Sequence, residues 1–481
     1  CPLTACDKDD APDPGKDRFN GSGYAVSVNG EPVKAYTCRV SAVPFNQVWD
    51  GYQRPVDQTE IAYMALWDQP ESGPAEVEVT VRQPITSVRI NPSWAGVEPR
   101  VEGQKVSFSL TGTEPRNLTL EVNGPHNALH LFACAPEADV PAEGSVTYYY
   151  GPGIHRPGRI KLQSGARVYL APDAVVFGSF YAVNASDIRI WGRGTIDGSQ
   201  LKRGSGSGLG FSNCSNIKIE GIVLRDSAMW CCALFGCTDV EIDNVKIVGQ
   251  WRYNSDGIDV VNSSRVRVRN CFVRSFDDAL VVKGMKRNLG EPELIGISHL
   301  PVEDVLFENC TVWCDWGHAL EIGAETCAPS IRNVVYRGID IVRTSFVAMS
   351  ILHGDGAPVR DILYEDIRLN IDPQTPSPVF QTSRGEVYED AGGFVPMLFE
   401  AVINKDMLWA QDALAGDVEG VTYRNISVTG PAPKSLVKGL DAEHRVRGIV
   451  VENLRFNGEP VRNAARAGVV IEQHGDPVTF R

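Results

Sequence analysis

Three aspartates in one short stretch of the chain could carry out acid–base chemistry. The stretch NSDGIDVVNSSRVRVRNCFVRSFDDALVVKG contains Asp256 and, 21 residues later, the adjacent pair Asp277 and Asp278. Carboxylates that are held close together repel one another, so one of them stays protonated near neutral pH. Such a set can donate one proton and accept another, provided that the fold brings the three side chains together.

A second group of candidate residues follows in WCDWGHALEIGAE, residues 313–325. In a strand, side chains alternate between the two faces. Leu320 and Ile322 should therefore point inward and Glu321 outward, with His318 at the entrance of the strand. Paired carboxyls beside a histidine suit glycosidic hydrolysis with inversion, in which the acid and the base lie about 6.5–9.5 Å apart so that a water fits between them.

A recurring motif indicates which elements position these residues. Two apolar–any–apolar triplets flank a small, polar or acidic pair, as in DVEIDNVKI, RVRVRNCFV and DVLFENCTV, and most copies start roughly 23–30 residues apart. A period of this length is typical of stacked repeats. The sequence therefore predicts an all-β, right-handed parallel β-helix over residues 146–481, with irregular insertions at Met285–Pro301 and Asp372–Gly416.

The stacking predicts that the acids meet. Neighbouring strands of a parallel stack lie about 4.8 Å apart, and Asp256 and Asp277 are about one coil apart in the sequence. Asp278 directly follows Asp277, so the chain must bend there for both to reach one cleft, as at a bulge. Leu280 and Val282 should then fill the interior, while Lys283 points outward.

The N-terminal part of the chain has a different sequence pattern. Short alternating runs such as AEVEVTVRQ, QKVSFSLTG and RNLTLEVNG predict an antiparallel β-sandwich over residues 21–145. Residues 1–20 are polar and rich in Pro and Asp and begin with Cys1, which is typical of an acylated lipoprotein with a flexible tether. On that interpretation the protein is exported to a bacterial cell envelope, and the alternative is that the chain simply begins there.

Composition limits the partners. The formal net charge is −14, with 60 acidic and 46 basic residues, which argues against a nucleic-acid partner. We expect a membrane contact only through a lipid on Cys1, and the oligomeric state cannot be inferred. The twelve cysteines form no zinc pattern, and we expect no metal and no cofactor. Cys314 and Cys327 could pair, although sequence alone does not settle connectivity.

The motifs together resemble a known family. NSDGID, DDA and GHALEIG are similar to the Asn-Thr-Asp, Asp-Asp and Gly-His-Gly motifs of the polygalacturonase family, glycoside hydrolase family 28. A sandwich before the β-helix resembles the related dextranase and isopullulanase family, family 49. Both families are right-handed parallel β-helix enzymes that hydrolyse α-linked polysaccharides with inversion, and the resemblance implies the same for this chain.

The resemblance also implies roles for individual residues. Asp277 would be the general acid, Asp256 and Asp278 would hold and activate the water, and His318 would tune the acid or assist the bases. The expected substrate-binding residues are Asn254, Lys283, Trp316, Glu321 and His353.

Two departures from the family pattern change the expected substrate. Polygalacturonases carry an Arg-Ile-Lys triplet that grips the uronate, and the matching stretch here is VAMSILHGDG, with Ser350 and Leu352 in place of the two cations. Glu321 stands where a serine is usual, and a carboxylate there would repel a uronate. We therefore expect a neutral sugar at the cleavage site, although Lys283 and His353 could grip an acid from other directions.

Two alternatives remain open. A β-helix polysaccharide lyase would need a basic side chain or a calcium-bound carboxylate cluster to abstract a proton next to a uronate. A non-catalytic, surface-bound glycan-binding protein would suit the tether and the missing cations.

Overall fold

The structure is a computed structural model that describes residues 22–42, 59–286, 297–375 and 393–481. The predicted tether, residues 1–20, lies outside the described residues, so the lipid anchor and the envelope location stay predictions. Parts of both predicted insertions also lie outside them. Among the described residues, no helix is both long enough and apolar enough to cross a bilayer.

The N-terminal strands form two five-stranded sheets, because their alternating sequences leave one face of each sheet apolar. The first sheet has the order β2-β1-β5-β8-β7 and the second β3-β4-β10-β9-β6. Their bounds are β1 (Tyr24–Val28), β2 (Glu31–Val33), β3 (Ala35–Ser41), β4 (Thr59–Asp68), β5 (Ala75–Val81), β6 (Val88–Asn91), β7 (Arg100–Glu102), β8 (Lys105–Leu110), β9 (Arg116–Val122) and β10 (Leu129–Cys134). A single helical turn of 3₁₀ type lies at Ser93–Ala95.

The two sheets share one apolar core, as a sandwich requires. Val77 and Phe108 of the first sheet lie in one buried cluster with Leu120 and Leu131 of the second. The pairing differs from the prediction at one place, because β4 and β10 run parallel, with Leu131 opposite Ala65. The sandwich is therefore mostly, and not wholly, antiparallel.

The rest of the described chain coils into a 12-stranded sheet, named sheet A, and a 21-stranded sheet, whose two stacks of parallel strands are named sheets B and C. A typical coil gives one strand to each of A, B and C. Sheet A contains β11 (Tyr148–Tyr150), β13 (Arg167–Leu170), β15 (Ser186–Gly192), β18 (Ser215–Glu220), β21 (Thr238–Asp243), β24 (Ser264–Arg269), β27 (Val302–Glu308), β30 (Ile331–Arg337), β33 (Val359–Glu365), β36 (Val418–Arg424), β39 (Val446–Glu452) and β43 (Thr479–Phe480).

Sheet B contains β12 (Gly153–Lys161), β14 (Ala174–Val183), β17 (Leu209–Ser212), β20 (Cys232–Phe235), β23 (Ile258–Val261), β26 (Leu280–Gly284), β29 (Leu320–Thr326), β32 (Val347–His353), β35 (Met397–Ile403), β38 (Ser435–Lys438) and β42 (Val469–Ile471). Sheet C contains β16 (Thr195–Asp197), β19 (Val223–Arg225), β22 (Lys246–Val248), β25 (Phe272–Ser275), β28 (Thr311–Cys314), β31 (Asp340–Thr344), β34 (Arg368–Asn370), β37 (Ser427–Thr429) and β40 (Leu454–Phe456), and β41 (Glu459–Val461) folds back antiparallel on β40.

The motif explains the coil. The asparagine between the two triplets adopts a left-handed conformation, with φ of 55° at Asn244, 56° at Asn270 and 54° at Asn309. Asparagine tolerates this conformation better than most residues do. The bend separates the strand of sheet A from that of sheet C, as the repeat predicts.

The interior is built from columns of like residues. Because equivalent positions of successive coils are one strand spacing apart, rings at one position stack. Phe307, Tyr336, Tyr364 and Tyr423 form such a column, with successive ring centroids 4.8, 5.0 and 5.1 Å apart and planes within 8° of parallel. Leu280, Val282, Leu320 and Ile322 lie in the same core, which confirms their inward orientation.

The described residues divide into two compact units, which lie within residues 1–37, 62–90 and 94–136 and within residues 38–61, 91–93 and 137–481. The predicted domain limits of 21–145 and 146–481 stay predictions. The ten cysteines among the described residues are all buried free thiols, so the pairing of Cys314 with Cys327 is wrong.

Candidate active site

Three candidate residues stand at the same position of three successive coils. Ile258 of β23 is in register with Leu280 of β26, which is in register with Leu320 of β29. Two residues before each of them lie Asp256, Asp278 and His318. The ladder continues into these turns, since Gly257 N donates to Asp278 O at 2.8 Å and Ala279 N donates to His318 O at 2.9 Å.

Asp256 is therefore aligned with Asp278, the residue that directly follows Asp277. Asp277 reaches the same place because the chain bends after β25. The Asp278 amide donates to Asp277 Oδ1 at 3.0 Å, and the Ser275 hydroxyl donates to the Asp277 carbonyl at 2.5 Å. This bend turns two consecutive side chains toward one side, as predicted.

The three carboxyls are closer together than expected. One oxygen from each of Asp256, Asp277 and Asp278 can be chosen so that all three lie within 4.8 Å of one another. An acid and a base that flank a water are about 6.5–9.5 Å apart in most inverting glycosidases. The nearest oxygens are thus closer than this separation, because the three residues occupy one bend and its direct neighbour.

Gly317 makes this crowding possible. A Cβ at this position would lie 2.4 Å from Asp278 Oδ1 and 2.8 Å from Asp277 Oδ1. The same Cβ would lie 2.6 Å from the backbone nitrogen of Asp278, so any side chain would displace the carboxyls together with the backbone of Asp278. The glycine before His318 keeps open the space in which the acids meet.

His318 is surrounded by carboxylates. Its Nδ1 lies 2.9 Å from Asp278 Oδ1 and 3.2 Å from Glu321 Oε1, and its Nε2 lies 3.6 Å from Glu400 Oε1. Glu400 accepts a hydrogen bond from the Ser350 hydroxyl at 2.8 Å. Although burial opposes the charge, Glu321 and Asp278 raise the pKa of His318 well above its usual range, so we infer an imidazolium.

Lys283 is buried among acids on the other side of Asp278. Its ammonium lies 3.2 Å from Glu325 Oε2 and 3.5 Å from Asp278 Oδ2, and it donates to the Gly323 carbonyl at 3.1 Å. Burial opposes the charge, but Glu325 and Asp278 raise the pKa of Lys283. This cation is therefore already paired within the protein.

The site lies in a cavity of about 320 Å³. The structure brings eight of the nine predicted site residues to its wall, and their roles stay predictions. These eight are Asn254, Asp256, Asp277, Asp278, Lys283, Trp316, His318 and Glu321. The wall also contains Trp230, Tyr253, Gly317, Ala324, Glu325, Phe346, Leu352 and Trp409.

His353 is the exception, and its predicted substrate-binding role does not fit its position. It lies at the end of β32, is fully buried and is absent from the cavity wall. Its Nδ1 lies 2.5 Å from the Thr326 hydroxyl. Burial lowers the pKa of His353 to about 4, so it is neutral and cannot grip an acid.

Sequence reasoning missed three residues of this site. Glu325 lies four residues after Glu321 in the same strand, and Glu400 occupies the position of Ser350 one coil later. The outward positions of the repeat would have identified both. Trp409 lies in an irregular segment between β35 and β36, for which no periodic signal exists.

The acids differ in their protonation. Burial and the neighbouring Asp278 raise the pKa of Asp277 well above its usual range. Burial raises the pKa of Asp256 in the same way, assisted by Asp259 and Asp277. Burial by itself would raise the pKa of Asp278 as well. The nearby charges of His318 and Lys283 outweigh burial and lower the pKa of Asp278 below its usual range. Burial and neighbouring charges thus favour the protonated form of Asp277 and Asp256 and the ionised form of Asp278.

The carboxylate oxygens and the imidazole nitrogen of the site lie close enough together to bind a cation. Within the described part of the chain, two groups satisfy the spacing, Asp256 with Asp277 and Asp278, and Asp278 with His318 and Glu321. The two groups share Asp278 and consist of residues of the candidate active site, so a bound cation would occupy the acid–base site itself.

Comparison with known proteins supports the resemblance. The model of glycosyl hydrolases family 28 matches residues 182–376, the segment that contains all four catalytic candidates. A dextranase of Arthrobacter sp. is 25% identical over 278 residues, which cover 52% of this chain and 41% of that protein. A probable rhamnogalacturonase A of Aspergillus oryzae is 24% identical over 241 residues, 47% of this chain and 48% of that protein. The matches thus span about half the length of these curated relatives, or less.

Solved structures show the same fold. Dex49A from Penicillium minioluteum superposes with a TM-score of 0.55 at 13% identity and covers 95% of this chain and 93% of its own. An exopolygalacturonase from Thermotoga maritima gives a TM-score of 0.51 at 16% identity, over 69% of this chain and 83% of its own. The β-helix with a preceding β-sandwich is thus confirmed, and so is the resemblance to the polygalacturonase-like glycoside hydrolases, since residues 182–376 match family 28.

Proposed function

We propose that this chain hydrolyses glycosidic bonds in an α-linked polysaccharide or oligosaccharide. The observation that carries this proposal is the adjacent pair Asp277 and Asp278, which share one cavity wall and have opposite pKa shifts. An acid–base hydrolase needs one carboxyl that holds a proton and one that has lost it. A protein that only binds glycans does not need this difference.

The residues divide the reaction between them. Asp277 gives its proton to the glycosidic oxygen as the bond to the anomeric carbon breaks. A water attacks that carbon and loses its proton to Asp278. Asp256 orients the same water, since its buried Oδ1 has no hydrogen-bond partner among the described residues. His318 stays charged beside Asp278 and keeps it ionised until the water has reacted.

We further propose inversion. A water that makes hydrogen bonds to oxygens of two carboxyl groups holds those oxygens about 4.5 Å apart, given bonds of about 2.8 Å. The spacing within 4.8 Å fits such a shared water on Asp256 and Asp278. Retaining enzymes also have close carboxyls, about 5–5.5 Å apart, so retention is the competing outcome. Proton NMR of the first product decides, since inversion releases the β-anomer from an α-link.

The sugar at the cleavage site is neutral in this proposal. Ser350 and Leu352 are in register with Glu321 and Gly323, and neither carries a charge. The cations at the site, Lys283 and His318, are already paired with carboxylates. A uronate would meet unbalanced negative charge, including Glu321.

Release of reducing ends from dextran, polygalacturonate and rhamnogalacturonan tests the proposal. We expect cleavage of a neutral α-glycan, and equal or faster cleavage of polygalacturonate would refute the neutral sugar. The assay is repeated with a chelator and read at 235 nm for unsaturated products. Loss of activity with the chelator, together with that absorbance, would point to a lyase. A wild type that binds these glycans but releases no reducing ends would point to a binding protein.

A further inference from the structure

We propose that the end of the cavity beyond the acids is a binding subsite for a second neutral sugar ring, with Trp409 as its stacking wall. This inference rests on the proposed function. The acids lie before the strands of sheet B, whereas Lys283, Ala324, Glu325 and Leu352 lie at or near the strand ends. The cavity thus continues along the strands past the bond that is cleaved.

The walls of this subsite are apolar and aromatic. Trp230 is almost fully buried and stacks on Phe235, with the ring centroids 5.8 Å apart, so its position is rigid. Trp409 lines the same cavity but keeps 38% of its surface exposed. An exposed indole beside a cavity offers a flat apolar face, which suits the C–H face of a sugar ring.

The floor of the subsite is polar. Glu325 and Lys283 form a buried ion pair of 3.2 Å, and the Lys283 ammonium lies 5.6 Å from the centre of the Trp230 ring. Charged groups make stronger hydrogen bonds to hydroxyls than neutral groups do. Because Glu325 and Asp278 already neutralise Lys283, the floor suits hydroxyls and not a carboxylate.

The segment that contains Trp409 is anchored on both sides of it. The Lys405 ammonium donates to the carbonyls of Gly354, Asp412 and Leu414 at 2.6, 2.8 and 2.6 Å. Asp355 Oδ1 accepts from the amides of Gln411 and Asp412 at 2.5 and 2.8 Å. Because the Trp409 indole is already held in place before binding, it loses little conformational entropy when a sugar ring stacks on it.

His353 belongs to the support of this segment. Its carbonyl accepts from the Asn404 amide at 2.9 Å. The Thr326 hydroxyl, which His353 contacts, accepts from the amides of Gly354 and Asp355 at 3.1 and 2.8 Å. His353, which was predicted to bind substrate, instead supports the segment whose Trp409 is proposed to bind it.

Affinity for oligosaccharides of dextran and of polygalacturonate, measured by titration calorimetry in the inactive Asp277→Asn background, tests the subsite. We expect binding of the neutral fragment and about tenfold weaker binding after Trp409→Ala. Leu408→Ala is the matched control, because Leu408 is 76% exposed and absent from the cavity wall. It should change the affinity less than about twofold. Trp409→Phe keeps a ring and should lose less than Trp409→Ala.

Kinetics separate this inference from the proposed function. In the active chain Trp409→Ala should raise KM with little change in kcat, because the stacking is present before and during the reaction. Equal affinity of Trp409→Ala and Leu408→Ala would overturn the subsite even if the enzyme is active. If binding depends on Trp409 but the wild type releases no reducing ends, the proposed hydrolase activity is contradicted and the subsite is not. Tighter binding of polygalacturonate than of dextran fragments would contradict the neutral ring.

Discussion

Asp278 Oδ1 accepts two hydrogen bonds from His318, one from the backbone amide at 2.8 Å and one from Nδ1 at 2.9 Å. The two residues lie at equivalent positions of adjacent coils, so the stacking itself sets this contact. A charged donor stabilises the ionised carboxylate. On the proposed mechanism this pair keeps Asp278 ionised as the base, and the proton stays on Asp277.

Replacement of the acid should stop the reaction without unfolding the protein. Asp277→Asn keeps the size of the side chain but has no proton to give, and general acid catalysis contributes about 10²–10⁴-fold. We expect a loss of kcat of that order in the reducing-end assay, with the melting temperature retained. Asp239→Asn removes an exposed carboxylate that is paired with Arg265 and serves as the control. Activity of Asp277→Asn near that of the control would assign the acid elsewhere.

The pH profile of kcat/KM should be bell-shaped. Activity falls as pH rises through the raised pKa of Asp277, because the acid loses its proton, and it falls at low pH when the lowered pKa of Asp278 is reached. Burial and Asp278 raise the pKa of Glu321 to about 7. Its charge above that pH helps Asp277 and His318 to keep their protons.

Glu321→Gln should therefore move the high-pH limb of this profile to lower pH. The low-pH limb should change less, because His318 and Lys283 still hold the pKa of Asp278 low. Glu303→Gln, on sheet A and paired with Arg332, is the matched control. A high-pH limb that stays in place would show that another group controls it.

The glycine before the histidine should be essential. In Gly317→Ala the added Cβ would lie 2.4 Å from Asp278 Oδ1, so a carboxyl must move. Displacements of about 1 Å can cost about 10²-fold in rate, and we expect a loss of that order in kcat. At Gly151 the added Cβ has only one neighbour, at 3.8 Å, and Gly151→Ala should leave the rate unchanged. Full activity of Gly317→Ala would mean that the acids do not need their present positions.

The aromatic column should carry much of the stability of the β-helix. Tyr364 is fully buried between Tyr336 and Tyr423. Loss of such a ring leaves a cavity and costs about 3–5 kcal/mol. Guanidinium unfolding of Tyr364→Ala should show a loss of that size, whereas Leu414→Ala, at a position 69% exposed, should stay within about 0.5 kcal/mol. Equal midpoints for the two variants would contradict the role of the column.

The repeat motif was sufficient to predict the inward and outward faces. The outward Glu321 and the inward Leu320 follow from a period of two, and the bends follow from asparagines that tolerate positive φ. Local chemistry thus determined the strands, the coil and the identity of the acids. The match to the Arg-Ile-Lys motif also predicted that the neutral Ser350 and Leu352 stand in place of its two cations.

Tertiary structure alone decided which acids meet and at what distance. Asp256 aligns with Asp278 because register depends on the lengths of the turns between coils, which differ from coil to coil. Glu400 and Trp409 come from distant segments of the chain. The sequence predicted that His353 binds substrate, but the register between coils places His353 outside the cavity wall. Periodicity specifies the face on which a side chain lies, whereas contacts between coils depend on insertions that have no period.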